Sequence, residues 1–417
     1  MRALARGGWI MSDDVAALRR HAMAVSNAGP APSRADLLER VAALAPEIEA
    51  AGDEIDRGGK VPDALQAKLV DAKLFRLLMP RALGGIEVDP VTFVHVIEAV
   101  ARRDGSTAWC LCQGNGCSMV GAFLDPAVAH DIFGKDPKAI LAWGPGPGRA
   151  VPVDGGYRVT GNWAFASGAP HATWLGAHTP VHEPDGTPRL HNGKPVVRTM
   201  LFPAAAAPLK DIWKVVGLRG TGSNAYALDD HFIPEAYSLL RDDQTDRRDP
   251  GLLYCFPQGS LYASGFAGVA LGIARSLLDA FIALALEKTP RGYKHPLAQS
   301  AVVQAKVAQA EAQLGAARLY LLTSLEEIWR SVQRTSELTL AQRMQIRLQS
   351  TWAIHQARAV GDFAYHAAGA TAIFESNPFE RRFRDLNTVT QQLQGRKLHY
   401  QTAGRYLMGV EFDLGWV

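Results

Sequence analysis

The chain has 417 residues, and 44 Lys and Arg against 41 Asp and Glu leave a formal net charge of +3. So small an excess argues against a dedicated nucleic-acid binder, and 47% hydrophobic with 20% charged residues excludes extensive disorder. Four cysteines, three crowded at Cys110, Cys112 and Cys117 and one alone at Cys255, make no disulfide framework and point to a reducing compartment, the cytoplasm.

Residues 1–10 are basic and slightly apolar, but no apolar run follows them, so they do not read as a secretory signal. Met11 is a second candidate start. From Arg34 to Ala72 apolar residues recur at helical spacing: Leu37, Leu38, Val41, Leu44, then Leu65 and Leu69. After a break at 80–85 the period resumes from Val91 to Arg102. Asp104-Gly105-Ser106-Thr107 reads as a turn and N-cap, with a helix from Ala108 onward. Cys110-x-Cys112-x4-Cys117 looks like metal spacing, but it has no second pair and no histidine cluster. Packing of small residues is the better reading, and no metal is expected. His95 and His130 are isolated and read as packed or solvated.

The texture changes near Ala139. Asp154-Gly155-Gly156 is a turn, and Tyr157, Val159, Gly161, Trp163 and Phe165 then alternate with polar or small residues, which is strand periodicity. Further short runs at 173–178, 196–202 and 225–233 suggest a small sandwich or barrel. From Leu252 the pattern is helical again. Tyr262 to Leu286 is the most apolar stretch, but Arg275 and Asp279 interrupt it, so a buried bundle helix is expected rather than a membrane span. Val303, Val307, Ala310, Leu314, Ala317, Leu321 and Leu325 form a bundle stripe. Leu340 to Phe374 continues in the same style, and one more long helix is expected from Pro378. The expected architecture is α+β: a tail at 1–32, a helical domain at 33–138, a central β-sandwich or barrel at 139–247, and a four-helix bundle at 248–417.

No Gly-x-Gly-x-x-Gly follows a strand, and there is no Walker loop, His-Glu-x-x-His or Gly-x-Ser-x-Gly. Three segments remain. Gly161 to Trp174 is a strand entering a turn that presents Ser167 and Gly168 among aromatics. It suits one edge of a flat heteroaromatic ligand, although from the residues alone a hairpin with aromatic core residues is the better reading. Val216 to Asn224 is dense in glycine, for tight loops or close backbone approach. Arg381-Arg382-Phe383-Arg384-Asp385 opens the last helix, where Arg384 and Asp385 could form an ion pair.

Taken in order, Phe75-Arg-Leu-Leu-Met-Pro80-Arg-Ala-Leu-Gly84-Gly85, Gly217-Leu-Arg-Gly-Thr-Gly-Ser223, Ile233-Pro-Glu235 and Phe383-Arg-Asp385 resemble the acyl-CoA dehydrogenase superfamily over residues 35 to 412. Asp104-Gly-Ser-Thr-Ala-Trp109, Trp163-x-Phe165-x-Ser167-Gly168-x-x-His171-x-x-Trp174 and Thr289-Pro-Arg291 resemble its flavin-dependent monooxygenase branch. The resemblance implies the oxygenase component of a two-component system. Reduced FMN or FAD would come from a separate NAD(P)H:flavin reductase, and a C4a-hydroperoxyflavin formed with O2 would hydroxylate a small aromatic, heteroaromatic or heteroatom-containing substrate. It implies a homotetramer and no membrane.

The same resemblance places Ser167 near flavin N5, with Trp143, Gly144, Phe165 and Gly168 around the ring and Trp163 as packing. Arg291 resembles an arginine that reaches flavin phosphate from a neighbouring subunit, against a plain surface charge. Gly369 resembles a glycine turn against another protomer's cofactor, against simple helix-to-loop packing. Ser167, His171 and Gln392 are the implied catalytic positions, and Trp109, Cys117 and Gln391 the substrate wall. Two departures bear on the chemistry. The dehydrogenase base position, eight residues past Asp385, is Leu393, with only Gln391 and Gln392 beside it. The two histidine positions of the phenol hydroxylases fall on Cys117 and Gln392, which lowers the case for a simple phenol. His399 and Tyr400 could substitute, although packing in the bundle explains them too. The alternatives are an FAD-containing acyl-CoA dehydrogenase with a relocated base and, as a minor one, a DNA-associated flavoprotein of the same fold using Arg381, Arg382, Arg384, Arg396 and Lys397.

Overall fold

In the computed structural model, which describes residues 31–240 and 244–413, helices precede and follow a block of strands. The expectations for residues 1–10 and Met11 lie outside the described residues. Ser33 and Asp36 close a capping box on α1 (Arg34–Ala50). Then come α2 (Gly52–Gly58), α3 (Asp63–Asp71) and α4 (Pro90–Ala101), the last capped by Asp89. The next helix, α5 (Gly105–Ser118), begins one turn earlier than expected. The Asp104 carboxylate accepts the Thr107 N–H at 2.7 Å and the Thr107 hydroxyl at 2.8 Å, so the residues read as a turn are the helix's first turn.

The strands are β1 (Leu141–Gly144), β2 (Gly148–Val153), β3 (Gly156–Ala166), β4 (Trp174–Pro180), β5 (Leu190–His191), β6 (Lys194–Pro195), β7 (Val197–Pro203), β8 (Asn224–Pro234) and β9 (Ser238–Leu239). They form a four-stranded sheet ordered β1-β4-β7-β9 and a three-stranded sheet ordered β2-β3-β8, with a small β5-β6 ribbon. The β2–β3 hairpin turns at Asp154-Gly155, where Gly155 takes φ +74. Among the described residues the strands form no closed barrel. Trp163, Tyr226, Phe202 and Met200 fill a separate core in this β region.

After the strands come α6 (Gln258–Glu287), α7 (Ala301–Thr335) and α8 (Leu340–Ala368). By length and composition α6 could cross a membrane. Its apolar side chains are instead packed inside the protein, with Phe266, Leu271, Leu277 and Phe281 all buried. The last long helix is in fact two, α9 (Phe379–Val389) and α10 (Leu398–Leu407). Between them the Gln392 carboxamide accepts the Gln394 N–H at 2.7 Å, capping a single tight turn, Leu393–Gly395, in place of a continuous helix.

All three parts of the chain meet at α9. A Cβ on Gly217 would sit 2.3 Å from the Arg384 carbonyl oxygen, so the glycine loop approaches α9 backbone to backbone. The Asp385 carboxylate accepts the Leu218 N–H at 2.5 Å. Arg384 does not pair with Asp385. It bridges Glu380 at 2.7 Å and Asp56 at 3.0 Å, and Arg381 bonds Asp53 at 2.6 Å. Two cations of the basic run that suggested nucleic acid, Arg381 and Arg384, are thus matched by acids within the fold.

Candidate active site

Strand β3 ends irregularly. Its register against β8 shifts between Trp163 and Ala166, and Phe165 takes φ +59. A bulky side chain in the left-handed region carries strain of order 1 kcal/mol. The strain throws the Phe165 ring outward, 61% exposed, edge-on to Trp213 at 5.8 Å. The next turn is pinned from behind: Gly168, at φ +78, donates its N–H to the Thr221 carbonyl at 2.8 Å.

Between these two residues lies Ser167, whose hydroxyl belongs to a chain with a fixed direction. Thr221 Oγ1 donates to the Leu218 carbonyl at 2.8 Å, so its only proton is used. Ser223 Oγ, 2.7 Å away, must therefore donate to Thr221. Ser167 Oγ, 2.8 Å from Ser223, must in turn donate to Ser223. The indole N–H of Trp109 donates to Ser167 Oγ at 3.0 Å. One lone pair remains on Ser167, so toward a ligand this hydroxyl is an acceptor. It suits an N–H, as at N5 of a reduced flavin, better than the bare nitrogen of the oxidised ring. Ser223→Ala releases the Ser167 proton to donate outward. We expect it to shift the ratio of oxidised-to-reduced flavin dissociation constants about tenfold toward the oxidised form, read by equilibrium titration of both forms.

An aromatic wall continues from Trp109. Its ring stacks on Phe266 at 4.0 Å, and Phe266 stacks on Tyr262 at 5.7 Å. Trp109, Gln113 and Cys117 recur every four residues and share one face of α5. Cys117 Sγ lies 3.3 Å from Tyr262 Oη, and Gln113 Nε2 donates to the same sulfur at 3.5 Å. The other two clustered cysteines are packed: burial pushes the Cys110 thiol up to about 12 and raises Cys112 well above its ordinary value. No group of three potential metal ligands occurs among the described residues.

On the α9–α10 connection, Gln391 is exposed and donates to Thr390 Oγ1 at 3.1 Å. Gln392 is partly buried, with Nε2 shielded from solvent and without a partner. His399 is tied to the α9–α10 connection. Its Nε2 meets the Leu393 carbonyl at 2.7 Å, and burial, then the Arg347 charge, push it down to about 4. His171 is likewise engaged, with Nε2 2.8 Å from the Val61 carbonyl and its pKa lowered by burial. It joins the β3–β4 turn to the helical region and does not face the aromatic wall as a free base. Trp143 is buried between Gly176 and His178, so it packs the sheet rather than offering a ring face to a ligand. A Cβ on Gly144 would fall 1.7 Å from the Ala164 carbonyl oxygen, which fixes that residue as glycine by close strand approach.

Arg291 and Gly369 stand elsewhere. Arg291 is exposed just beyond α6, and Gly369 ends α8 at φ +60. Lys288 ties the two segments together, bonding the Ala368 carbonyl at 2.5 Å and Thr371 Oγ1 at 2.7 Å. Roughly 30 Å of helix separates Phe266 from Lys288. These residues therefore cannot reach Ser167 of their own chain.

Among the sequence-expected positions, the fold brings together Phe165, Ser167, Gly168 and Trp109, and joins Cys117 to them through Tyr262 and Phe266. Sequence reasoning missed Thr221, Ser223, Gln113, Tyr262 and Phe266. The four-residue spacing on α5 and the hydroxyls inside the glycine-rich loop were the available signals. A Cβ on Gly168 would be in ordinary contact with Cys110 at 3.9 Å, so it is the φ of +78 that favours glycine here. The exposed Phe165 ring and the spare Ser167 acceptor together suit the edge of a flat heteroaromatic ring.

The chain is similar to known proteins along most of its length. Residues 34–127 match the family model "Acyl-CoA dehydrogenase, N-terminal domain", and residues 264–394 match "Acyl-CoA dehydrogenase, C-terminal domain". Together they span more than half of the chain. Indole-3-acetate monooxygenase of Pseudomonas putida is 29% identical over 81% of this chain and 84% of that protein. The flavin-dependent monooxygenase oxygenase subunit HsaA of Mycobacterium tuberculosis is 28% identical over 82% of this chain and 88% of its own. Its crystal structure superposes with a TM-score of 0.84, at 25% identity, covering 93% of this chain and 100% of that one. XiaF from Streptomyces, solved with FADH2 and glycerol, gives the same TM-score at 25% identity, covering 91% and 96%.

Proposed function

The chain belongs to the acyl-CoA dehydrogenase family, and from that premise we propose that it is the oxygenase component of a two-component flavin monooxygenase that hydroxylates a small aromatic compound. The directed hydroxyl chain ending at Ser167 carries this reading, because it presents an acceptor to the N–H that only the reduced flavin has. A protein that receives its flavin already reduced from a separate reductase needs that preference. Reduced flavin, FMN or FAD, supplies the electrons that activate O2.

The chain's own residues do the rest. Phe165 and Gly168 hold the ring, Ser167 accepts its N–H, and Trp109, Phe266 and Tyr262 exclude water and stack the substrate. Gln392, with an unpaired amide nitrogen, orients the substrate as a donor. The dehydrogenase reading lacks its base: Leu393 stands at the usual position, and no carboxylate stands among the residues of the aromatic wall. Arg291 and Gly369 would serve a neighbouring protomer, in keeping with a homotetramer. Exposed Val302, Leu319 and Tyr320 on α7 and Trp352 on α8 supply apolar surface for that assembly. Four buried, free cysteines fit a cytoplasmic location.

The test supplies an NAD(P)H:flavin reductase, indole-3-acetate as the aromatic probe and isotopically labelled O2. One labelled oxygen atom in the hydroxylated product is expected. Labelled oxygen appearing only in peroxide and water, together with dye reduction by an acyl-CoA thioester, would favour the dehydrogenase.

A further inference from the structure

At the amino end of α6 stands an uncompensated buried cation. Arg347, on α8, is only 5% exposed. Its one hydrogen bond is from Nη1 to the Gln394 side-chain oxygen. Among the described residues no carboxylate pairs with it, and the charge acting on it is another cation, Arg343. Burial, and then Arg343, push its pKa down to about 10. A buried guanidinium without a counter-charge is costly, and such groups persist where a ligand supplies the missing charge.

What the guanidinium faces is informative. Its Nη2 lies 3.7 Å from where a Cβ on Gly259 would be, and nothing else comes within 4 Å of that point. Gly259 is the second residue of a 30-residue helix whose amino end has no side-chain cap. Uncapped N–H groups and the helix dipole favour an anion there. A second unpaired donor, Gln392 Nε2, is close in connectivity, since Gln392 caps Gln394 and Gln394 holds Arg347. One turn further along α6 stands Tyr262, the end of the aromatic wall, about 5 Å away along the axis. That is the span between an aromatic ring and a carboxylate one or two carbons from it.

We propose that Arg347 and the amino end of α6 form an anion subsite that receives the carboxylate of an aromatic carboxylic acid substrate. The aromatic half of this assignment rests on the oxygenase reading; the anion half is measured by binding alone. Phosphate on a flavin shares the chemistry, and the experiment separates the two sources.

Calorimetric titration compares acids with their amides, indole-3-acetate with indole-3-acetamide and phenylacetate with phenylacetamide, on wild type and Arg347→Met. The acid of at least one pair is expected to bind wild type about 10- to 100-fold more tightly than its amide. The ratio is expected to fall near one in Arg347→Met, while Arg347→Lys keeps part of it. Because Met removes an uncompensated buried charge, the melting temperature of Arg347→Met should not fall. No acid preference in wild type for any pair would overturn the proposal, as would a preference that survives in Arg347→Met. Weakened flavin binding in Arg347→Met with an unchanged acid-to-amide ratio would assign the subsite to phosphate instead. Failure of oxygen transfer with the acid preference intact would count against the oxygenase reading alone.

Discussion

Asp385→Asn is expected to remove the loss of stability that Asp385 itself contributes as pH rises through the weakly acidic range. Asp385 is fully buried. Burial first, and then the charge of Asp104, push its pKa from 3.8 up to about 7, while the Leu218 N–H and Arg384 pull it back only in part. Asp104 is raised too, chiefly by its own burial. The sign follows from proton counting. Between 3.8 and about 7 the folded chain keeps a proton on Asp385 that the unfolded chain has released. Stability is therefore greatest below the unfolded value and falls as pH rises to the folded one. A gap of about three units corresponds to about 4 kcal/mol. Asparagine is neutral throughout and its oxygen still accepts the Leu218 N–H, so the junction stays joined while the variant gains stability relative to wild type as pH rises; the buried histidines, His399 and His171 among them, act with the opposite sign in both proteins and cancel in the difference. Denaturant midpoints of wild type and variant, taken across this window, measure it. Parallel curves would show that Asp385 does not titrate there.

Ser167→Ala is expected to raise the hydrogen peroxide released per flavin oxidised by about tenfold and to lower hydroxylated product correspondingly. That factor equates the loss to one well-made hydrogen bond. The cause is local, since the variant removes the acceptor for the flavin N–H and leaves the Trp109 indole N–H without its partner. Trp109→Phe keeps the stack on Phe266 but removes that N–H, and should show a smaller increase. Measuring peroxide and product together, with melting temperature as the control for folding, separates coupling from stability. Equal peroxide yields in Ser167→Ala and wild type would remove Ser167 from the oxygen chemistry.

Much of the architecture was legible because its causes are local. Asp104 could be read as a cap because a carboxylate before Gly-Ser-Thr has few better uses. The β2–β3 hairpin followed from Asp154-Gly155, and the α6 packing helix from Arg275 and Asp279 inside an apolar run. The break after α9 was not legible. It depends on Gln392 bonding Gln394 in preference to continuing the helix, a choice the residue type alone does not make. Ser167 stood out among its aromatics, but the direction of its proton depends on Ser223 and Thr221, far along the chain in the glycine-rich loop. Trp143 was expected at the ring by resemblance, whereas on β1 its side chain is buried against Gly176 and His178, in the core shared with the helices. Arg347 gave no signal, since only the fold reveals that no acid reaches it.

The most direct test of the oxygenase assignment mixes the anaerobic protein and reduced FMN or FAD with O2 in a stopped-flow spectrometer. The oxygenase reading predicts a spectral phase distinct from both reduced and oxidised flavin, outlasting the oxidation of free flavin and shortened by Ser167→Ala. A single-step return at the rate of free flavin would contradict it. So would a protein purified yellow with FAD, inert to O2 when reduced, and bleached by an acyl-CoA thioester.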